Sequence, residues 1–355
     1  MTSMAGTTQQ PAMDRMVPDT LAIPAQGSSP EALPREAGWF SFDGRTLVPL
    51  LGLVLAELSH LLIPNAQTYR PKAIPGFSIV LLALTAVFAG LVLVSCCNAG
   101  FRKRLAYKSW FLGAAFLFLG AYDLITLKLN LIPSLFFPAP ERVIDAFVTD
   151  GGFLLKCMAY SLRLLFSGYL LGAIVGLATG VLVGWSPRWS YWVSPLIRMV
   201  GPIPSTAWIP IALVSFSRAY DASVFLIALA VWFPMTILTS SGISNVRKSF
   251  FEVSSTLGAT SIHNIFRIAI PGAAPSIFTG LFNGASSSFL TLMSAEMLGC
   301  KFGIGWYINW QRETLSYPHV YAALSLMAVT FSLLITLQLK IRNRVLAWQK
   351  GTIRW

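Results

Sequence analysis

Small polar side chains recur at fixed spacing in two apolar stretches of this sequence, and they are the residues most able to do chemistry. Asn283, Ser287 and Thr291, with Gly280 and Ser294, fall at three- and four-residue steps on a segment whose other positions include Leu281, Phe282, Phe289 and Leu290. Such a stripe either lines an aqueous route or makes hydrogen bonds between helices. The second stretch runs from Gly201 to Pro210 and holds Pro202, Pro204 and Pro210. Each proline removes a backbone donor and crowds the turn before it, so the backbone there is kinked or partly unwound. Inside a bilayer such backbone persists only when packed in protein or facing a water-filled cavity. Pro202, Pro204 and Trp208 therefore join Asn283, Ser287 and Thr291 as pathway candidates, with a static kink as the competing explanation.

Residues for covalent or metal chemistry are absent from the pattern. His60, His263 and His319 are far apart, Cys96 and Cys97 adjoin, and Cys157 and Cys300 stand alone, which matches no zinc or iron–sulfur spacing. No nucleophile motif and no G-x-x-x-x-G-K-[ST] phosphate loop occurs. The sequence predicts a chain that is not an enzyme, with no metal site and no cofactor of its own.

The elements that hold these residues must be membrane helices. Of 355 residues 55% are hydrophobic and only 11% charged, with mean hydropathy +0.65. A soluble domain uses about a quarter of its residues as Asp, Glu, Lys and Arg. Too few charges remain to cover a water-soluble surface, so the lipid bilayer is the expected partner of most of the exterior. The net charge of +12 would suggest nucleic acid in a soluble protein; in a membrane protein it is the signature of basic cytoplasmic loops, and no nucleic-acid partner is expected.

Eight apolar runs are long enough to span: Leu47 to Ile63, Phe77 to Cys97, Ser109 to Leu127, Leu164 to Trp185, Met199 to Phe216, Val224 to Ile243, Ile277 to Leu298 and Tyr321 to Leu339. The first is weakest, interrupted by Glu57 and His60. Residues 1–45 are polar and read as a disordered cytoplasmic tail. With the amino terminus inside, fourteen Lys and Arg fall on cytoplasmic loops and eight, among them Arg70 and Lys72, outside, so both termini are expected in the cytoplasm. Gly168, Gly172, Gly176, Gly180 and Gly184 clear one ridge where a neighbouring helix backbone can approach. Glu296 lies near an outer span end, where it can reach interfacial water, and Asp123 and Arg163 are placed to snorkel or pair. Cys157 and Cys300 both fall on the outer side, where a disulfide between them is the alternative to two free thiols, the favoured reading.

Between Ile243 and Ile277 lies a polar but regular segment, with Phe250, Phe251, Leu257, Ile262 and Ile265 near helical spacing, a break at Gly258, and Pro271 and Pro275 resetting the chain before the next span. On physical grounds it is either a helix that docks in a partner's groove or one lying on the lipid surface. Glu252, Gly258, Ala259, Pro271 and Pro275 fall on the EAA-loop pattern of ABC importer permeases, with Val253 and Ser254 where the family has alanines. Phe136–Phe147, Ser161–Trp185, Arg198–Leu213 and Ser294–Leu298 resemble the nitrate, sulfonate, taurine and bicarbonate branch of that family.

The resemblance implies an all-α polytopic membrane protein, a type I ABC importer transmembrane domain. Its six core helices span residues 109–340, with a coupling loop at 244–276. Two extra N-terminal helices and a basic loop occupy 46–108, and residues 341–355 form a basic cytoplasmic end. It further implies a bacterial inner-membrane subunit working as a homodimer with a second permease copy, served by two ABC ATPase subunits and an external solute-binding protein. ATP and Mg would act on the ATPase subunits, and the solute would be a small anion or small organic molecule. Glu252, Ser254, Leu257, Gly258 and Ala259 fall at the ATPase contact. A secondary transporter or channel that needs no ATP also shows broken helices and polar stripes. It commonly carries carboxylates or histidines at mid-membrane, whereas the core spans here keep theirs near the ends.

Overall fold

The computed structural model describes residues 44–66 and 76–348. The tail read as residues 1–45, save its last two, the outer Arg70 and Lys72, and Lys350 and Arg354 lie outside the described residues. Among those described, seven helices are long and apolar enough to cross a membrane, and one further pair, bent by 86°, is so only when its two halves are taken together.

The helices are α1 (Val48–Leu62), α2 (Gly76–Cys97), α3 (Ala99–Asp123), α4 (Pro140–Trp185), α5 (Pro187–Val200), α6 (Ile209–Ser215) and α7 (Ala219–Ser244). They continue with α8 (Lys248–Thr256), α9 (Ser261–Asn264), α10 (Ile270–Gly299), α11 (Ile304–Glu313) and α12 (Tyr317–Val345). The central pair is α4 and α7, and the glycine ridge explains why. A methyl group on Gly168 would sit 2.6 Å from Ile227, one on Gly172 2.4 Å from the Ala228 carbonyl, and one on Gly176 2.7 Å from Met235. On Gly180 and Gly184 it would meet Thr239 and the Ser240 carbonyl at 2.6 and 2.8 Å. Without side chains on one helix the backbones approach closely, and dispersion and short polar contacts replace the hydrophobic drive that lipid does not supply. Thr179 and Thr236 share a 2.8 Å hydrogen bond across this seam, and the Trp232 indole donates to Thr179.

The basic stretch Arg102–Lys108 is not a loop but the first turns of α3, started by the Asn98 side chain accepting from the Gly100 and Phe101 amides. Helix α3 packs on α1, where a methyl on Gly120 would lie 2.7 Å from Ala56 and one on Gly113 2.6 Å from Val48. The first three helices thus stand together, and their packing runs across the 108/109 division drawn from the sequence. At one end of this unit His60 Nδ1 pairs with Asp123 Oδ2 at 2.7 Å, and Lys128 donates to Asn65 Oδ1 at 2.7 Å. Glu141, in the first turn of α4, accepts the Phe77 amide at 2.9 Å and so ties α2 to α4. Asp123 is paired and buried rather than snorkelling.

Three further expectations change. Helix α4 begins 24 residues before Leu164, because its polar first half packs on α11 and α12 through Leu154, Cys157 and Met158 instead of facing lipid. Met199–Phe216 is no single span: α5 ends at Val200, the chain turns through Gly201–Pro204, and a short turn at Ser205–Trp208 with α6 leaves at 86°. Pro271 and Pro275 do not precede the next span but lie within it, since α10 runs unbroken from Ile270 after a π-helical segment, Ile265–Ala269. Cys157 and Cys300 are free and buried, and burial raises the Cys300 thiol above its usual range.

Candidate functional site: a polar cavity and an exposed helical turn

The unwound Gly201–Pro204 stretch borders a cavity, as irregular backbone in a membrane must unless it is packed in protein. Residues from the bend, from α7 and from α10 enclose about 610 Å³. Pro204, Asn283, Ser287 and Thr291, drawn from two distant stretches of sequence, are brought together on its wall. Ser205 Oγ and Thr291 Oγ1 are 2.6 Å apart and bind the bend to α10. Pro202 is exposed and not on the wall, and Trp208 turns away to pack on Ile209, Ala222, Leu226 and Ala295. Ser205 and Thr206, within the Gly201–Pro210 stretch, also line the space, as do Phe233 and Ser286, which the sequence reading missed. One signal was available: Gly201 precedes the prolines because a methyl there would fall 2.0 Å from the Phe233 ring.

The cavity wall carries hydroxyl and amide groups and no ionised side chain. Arg163 is not on it; its guanidinium lies 5.7 Å from the centre of the Tyr220 ring. Neutral donors and acceptors suit a small polar solute that must enter and leave, because they replace part of its hydration without the deep trap of a buried countercharge. The cavity is open along α10, where Asn283, Ser286 and Leu290 are exposed.

Above the cavity, α10 reaches Glu296, which is not at interfacial water: it is 0% exposed. Its Oε2 accepts the Gly305 amide at 2.8 Å, at the start of α11, while Ser161 of α4 accepts the Ile304 amide at 2.8 Å. The carboxyl group and the serine together satisfy amides that the helix leaves unpaired at its positive end. Gly303, at φ +123°, makes room, since a methyl there would lie 2.4 Å from the Glu296 carboxyl carbon. Gly303→Ala is therefore expected to cost about 1–3 kcal/mol from backbone strain and crowding, seen as a lower melting temperature of the purified protein. Tyr307 of α11 donates to Asp150 Oδ2 at 2.9 Å. Its burial, then that bond and the aspartate charge, hold the phenol above its usual range.

At the far side, α8 ends in a turn with two defining bonds, from the Ala259 amide to the Ser254 carbonyl (3.1 Å) and from Gly258 to Ser255 (3.0 Å). This is a Schellman closure, which needs a left-handed residue, and Gly258 supplies it at φ +81°. Ser254 Oγ donates to Asn264 Oδ1 at 2.7 Å, fastening α8 to α9 across the turn. Phe251 faces inward on Trp185, ring centres 5.5 Å apart. Phe250, Val253, Leu257 and Ile262 remain exposed, Leu257 by 82%, beside exposed Glu252 and half-buried Ala259. The segment thus presents an apolar tip on a stiff turn.

The family model described as "Binding-protein-dependent transport system inner membrane component" matches residues 168–347, about half of the chain, from the glycine ridge to the end of α12. The taurine transport system permease protein TauC of Escherichia coli is 27% identical over 228 residues, covering 62% of this chain and 82% of the relative. The nitrate import permease protein NrtB of Leptolyngbya laminosa is 32% identical over 172 residues, 47% of this chain and 61% of the relative. The putative aliphatic sulfonates transport permease protein SsuC of Bacillus subtilis is 28% identical over 225 residues, 63% and 82%.

Proposed function

We propose that this chain, which belongs to the family of binding-protein-dependent transport system inner membrane components, is the membrane-spanning permease subunit of an ATP-driven importer for a small anion or small organic solute. The projecting turn around Gly258 carries the reading: an exposed apolar tip, stiffened by the Ser254–Asn264 bond, is a docking element for a cytoplasmic ATPase. ATP and Mg belong to that partner, of which two copies serve the assembly. Closure of the ATPase pair pushes on Glu252, Ser254, Leu257, Gly258 and Ala259, and the push tilts α10 and the bent α5–α6 pair, opening the cavity to one side and then the other. The exposed Asn283 and Ser286 favour a homodimer, since a second copy would cover polar groups that otherwise meet lipid. An external binding protein delivers the solute, and both termini lie in the cytoplasm of a bacterial cell. The solute class rests on the names of the relatives, which act on taurine, nitrate and aliphatic sulfonates.

Purification of the tagged full-length chain from native membranes tests this. An ATP-hydrolysing subunit should copurify, and uptake by vesicles holding the complex should require ATP. Solute accumulation by vesicles with this chain alone would instead establish a secondary transporter or channel. Within the complex, Ser287→Leu is expected to lower uptake about tenfold or more by removing a wall hydroxyl and filling the route, with copurification of the ATPase unchanged. Equal uptake by wild type and variant would remove the cavity from the route.

A further inference from the structure

We infer that a second groove, between α4, α10 and α12, binds one acyl chain of an anionic phospholipid whose headgroup is held by Arg342 and Arg344. The groove encloses about 350 Å³ and is lined by Leu165, Phe166 and Ala173 of α4, Phe278 and Leu281 of α10, and Leu337 and Ile341 of α12, among others. It lies on the opposite side of α10 from the transport cavity, because Phe278, Leu281, Ala285 and Ser288 form one helical face while Asn283, Ser287 and Leu290 form the other.

The hydroxyl groups within it are already engaged. The Tyr169 hydroxyl donates to the Leu281 carbonyl at 3.0 Å and accepts from Gln338 Nε2 at 3.0 Å. Ser288 donates to the Ala285 carbonyl at 2.7 Å. Beyond the rest of the Gln338 amide a polar solute would find little to bind, and hydrocarbon entering along the apolar walls displaces no hydrogen bond. A transmembrane helix, about 10 Å across, is too thick for this volume. Length also fits a chain. From Phe278 to Phe289 the groove follows α10 for about 16 Å at 1.5 Å per residue, close to the roughly 15 Å depth of one leaflet.

Charge selects the headgroup. On α12, Arg342 follows Gln338 by four residues and Arg344 follows Leu337 by seven, so the two extend the opposite rims of the groove where the span ends. Both are exposed, and neither has a carboxylate within salt-bridge distance among the described residues. Two cations at the mouth of an apolar slot match a phosphate with its acyl tail, and the charge-derived orientation places them at the cytoplasmic leaflet.

The test uses full-length protein in nanodiscs of phosphatidylcholine alone or mixed with phosphatidylglycerol, extracted into detergent and examined by native mass spectrometry. Wild type should retain one phosphatidylglycerol in preference to phosphatidylcholine. Arg342→Gln with Arg344→Gln should lower that preference about tenfold or more, as two lost surface cations imply, while the melting temperature in phosphatidylcholine stays unchanged. Ala173→Phe should fill the slot and abolish retention of both lipids; if that variant does not fold, Leu337→Trp serves the same purpose. Wild-type protein with no lipid preference, or full retention by the arginine variant, overturns the site. A groove-filling variant that alters oligomeric state but not lipid retention assigns the groove to a protein partner instead. Neither result bears on ATP-dependent uptake, so the two readings fail separately.

Discussion

Gly172→Leu is expected to leave almost no folded protein in the membrane. A side chain at this position must start 2.4 Å from the Ala228 carbonyl oxygen and 2.9 Å from the Ala228 Cα. Those atoms are backbone, so no rotamer change relieves the clash, and α4 has to move off α7 along the whole seam. Ordinary overpacking costs about 1–3 kcal/mol where neighbours can shift, and here the interface itself is lost. With total stability of only about 5–15 kcal/mol, such a loss is decisive. The same helix provides the control: a methyl on Gly151 or Gly152 meets nothing within 4 Å. Gly151→Ala should be neutral or stabilising by up to about 1 kcal/mol, as alanine is the better helix former. Chromatography of detergent extracts reports both, and a Gly172→Leu profile matching wild type would falsify the packing argument.

Gly258→Arg is expected to abolish ATP-driven uptake in a protein that still folds. The position has open space around it, so the penalty is confined to φ +81°, about 1–2 kcal/mol for a non-glycine residue. That is too little to unfold a bundle held by α4, α7 and α10. The arginine would project beside Leu257, at the centre of the apolar tip, and removal of a contact of that kind typically costs 2 kcal/mol or more, roughly thirty-fold in affinity. The expected result is loss of ATPase copurification with a melting temperature only a few degrees lower. Gly258→Asn, which tolerates left-handed backbone, should retain attachment and most uptake. If the arginine variant keeps its ATPase and transports normally, the turn is not the contact.

Legibility followed the range of the interactions. The glycine ridge was readable because five residues at four-residue spacing lie on one helix and need no knowledge of the partner. Only the partner, α7, had to come from the structure. The left-handed turn at Gly258 was equally local. The broken Pro202–Pro210 stretch and the polar stripe on α10 were each visible, but not that they meet, since Ser205 and Thr291 are 86 residues apart. Glu296 shows the limit most clearly. Its place near a span end suggested water, and its burial depends on α11 folding back so that Gly303 and Gly305 close over it. Hydropathy along one segment contains nothing of that. The early turns of α4 escaped detection for the reverse reason: Glu141, Asp145, Asp150 and Lys156 fail an apolar count although the helix is continuous.

Continuity gives α4 mechanical reach. Its 46 residues extend about 69 Å, more than twice the roughly 30 Å of hydrocarbon. One end meets the amide start of α2 through Glu141 and the other leans on Phe251 beside the Gly258 turn. Rotating such a rod by ten degrees about one tip sweeps the opposite tip through about 12 Å. Helices α1–α3 are joined to the Glu141 end of this beam, where a change of angle at the Phe251 end arrives as its greatest excursion.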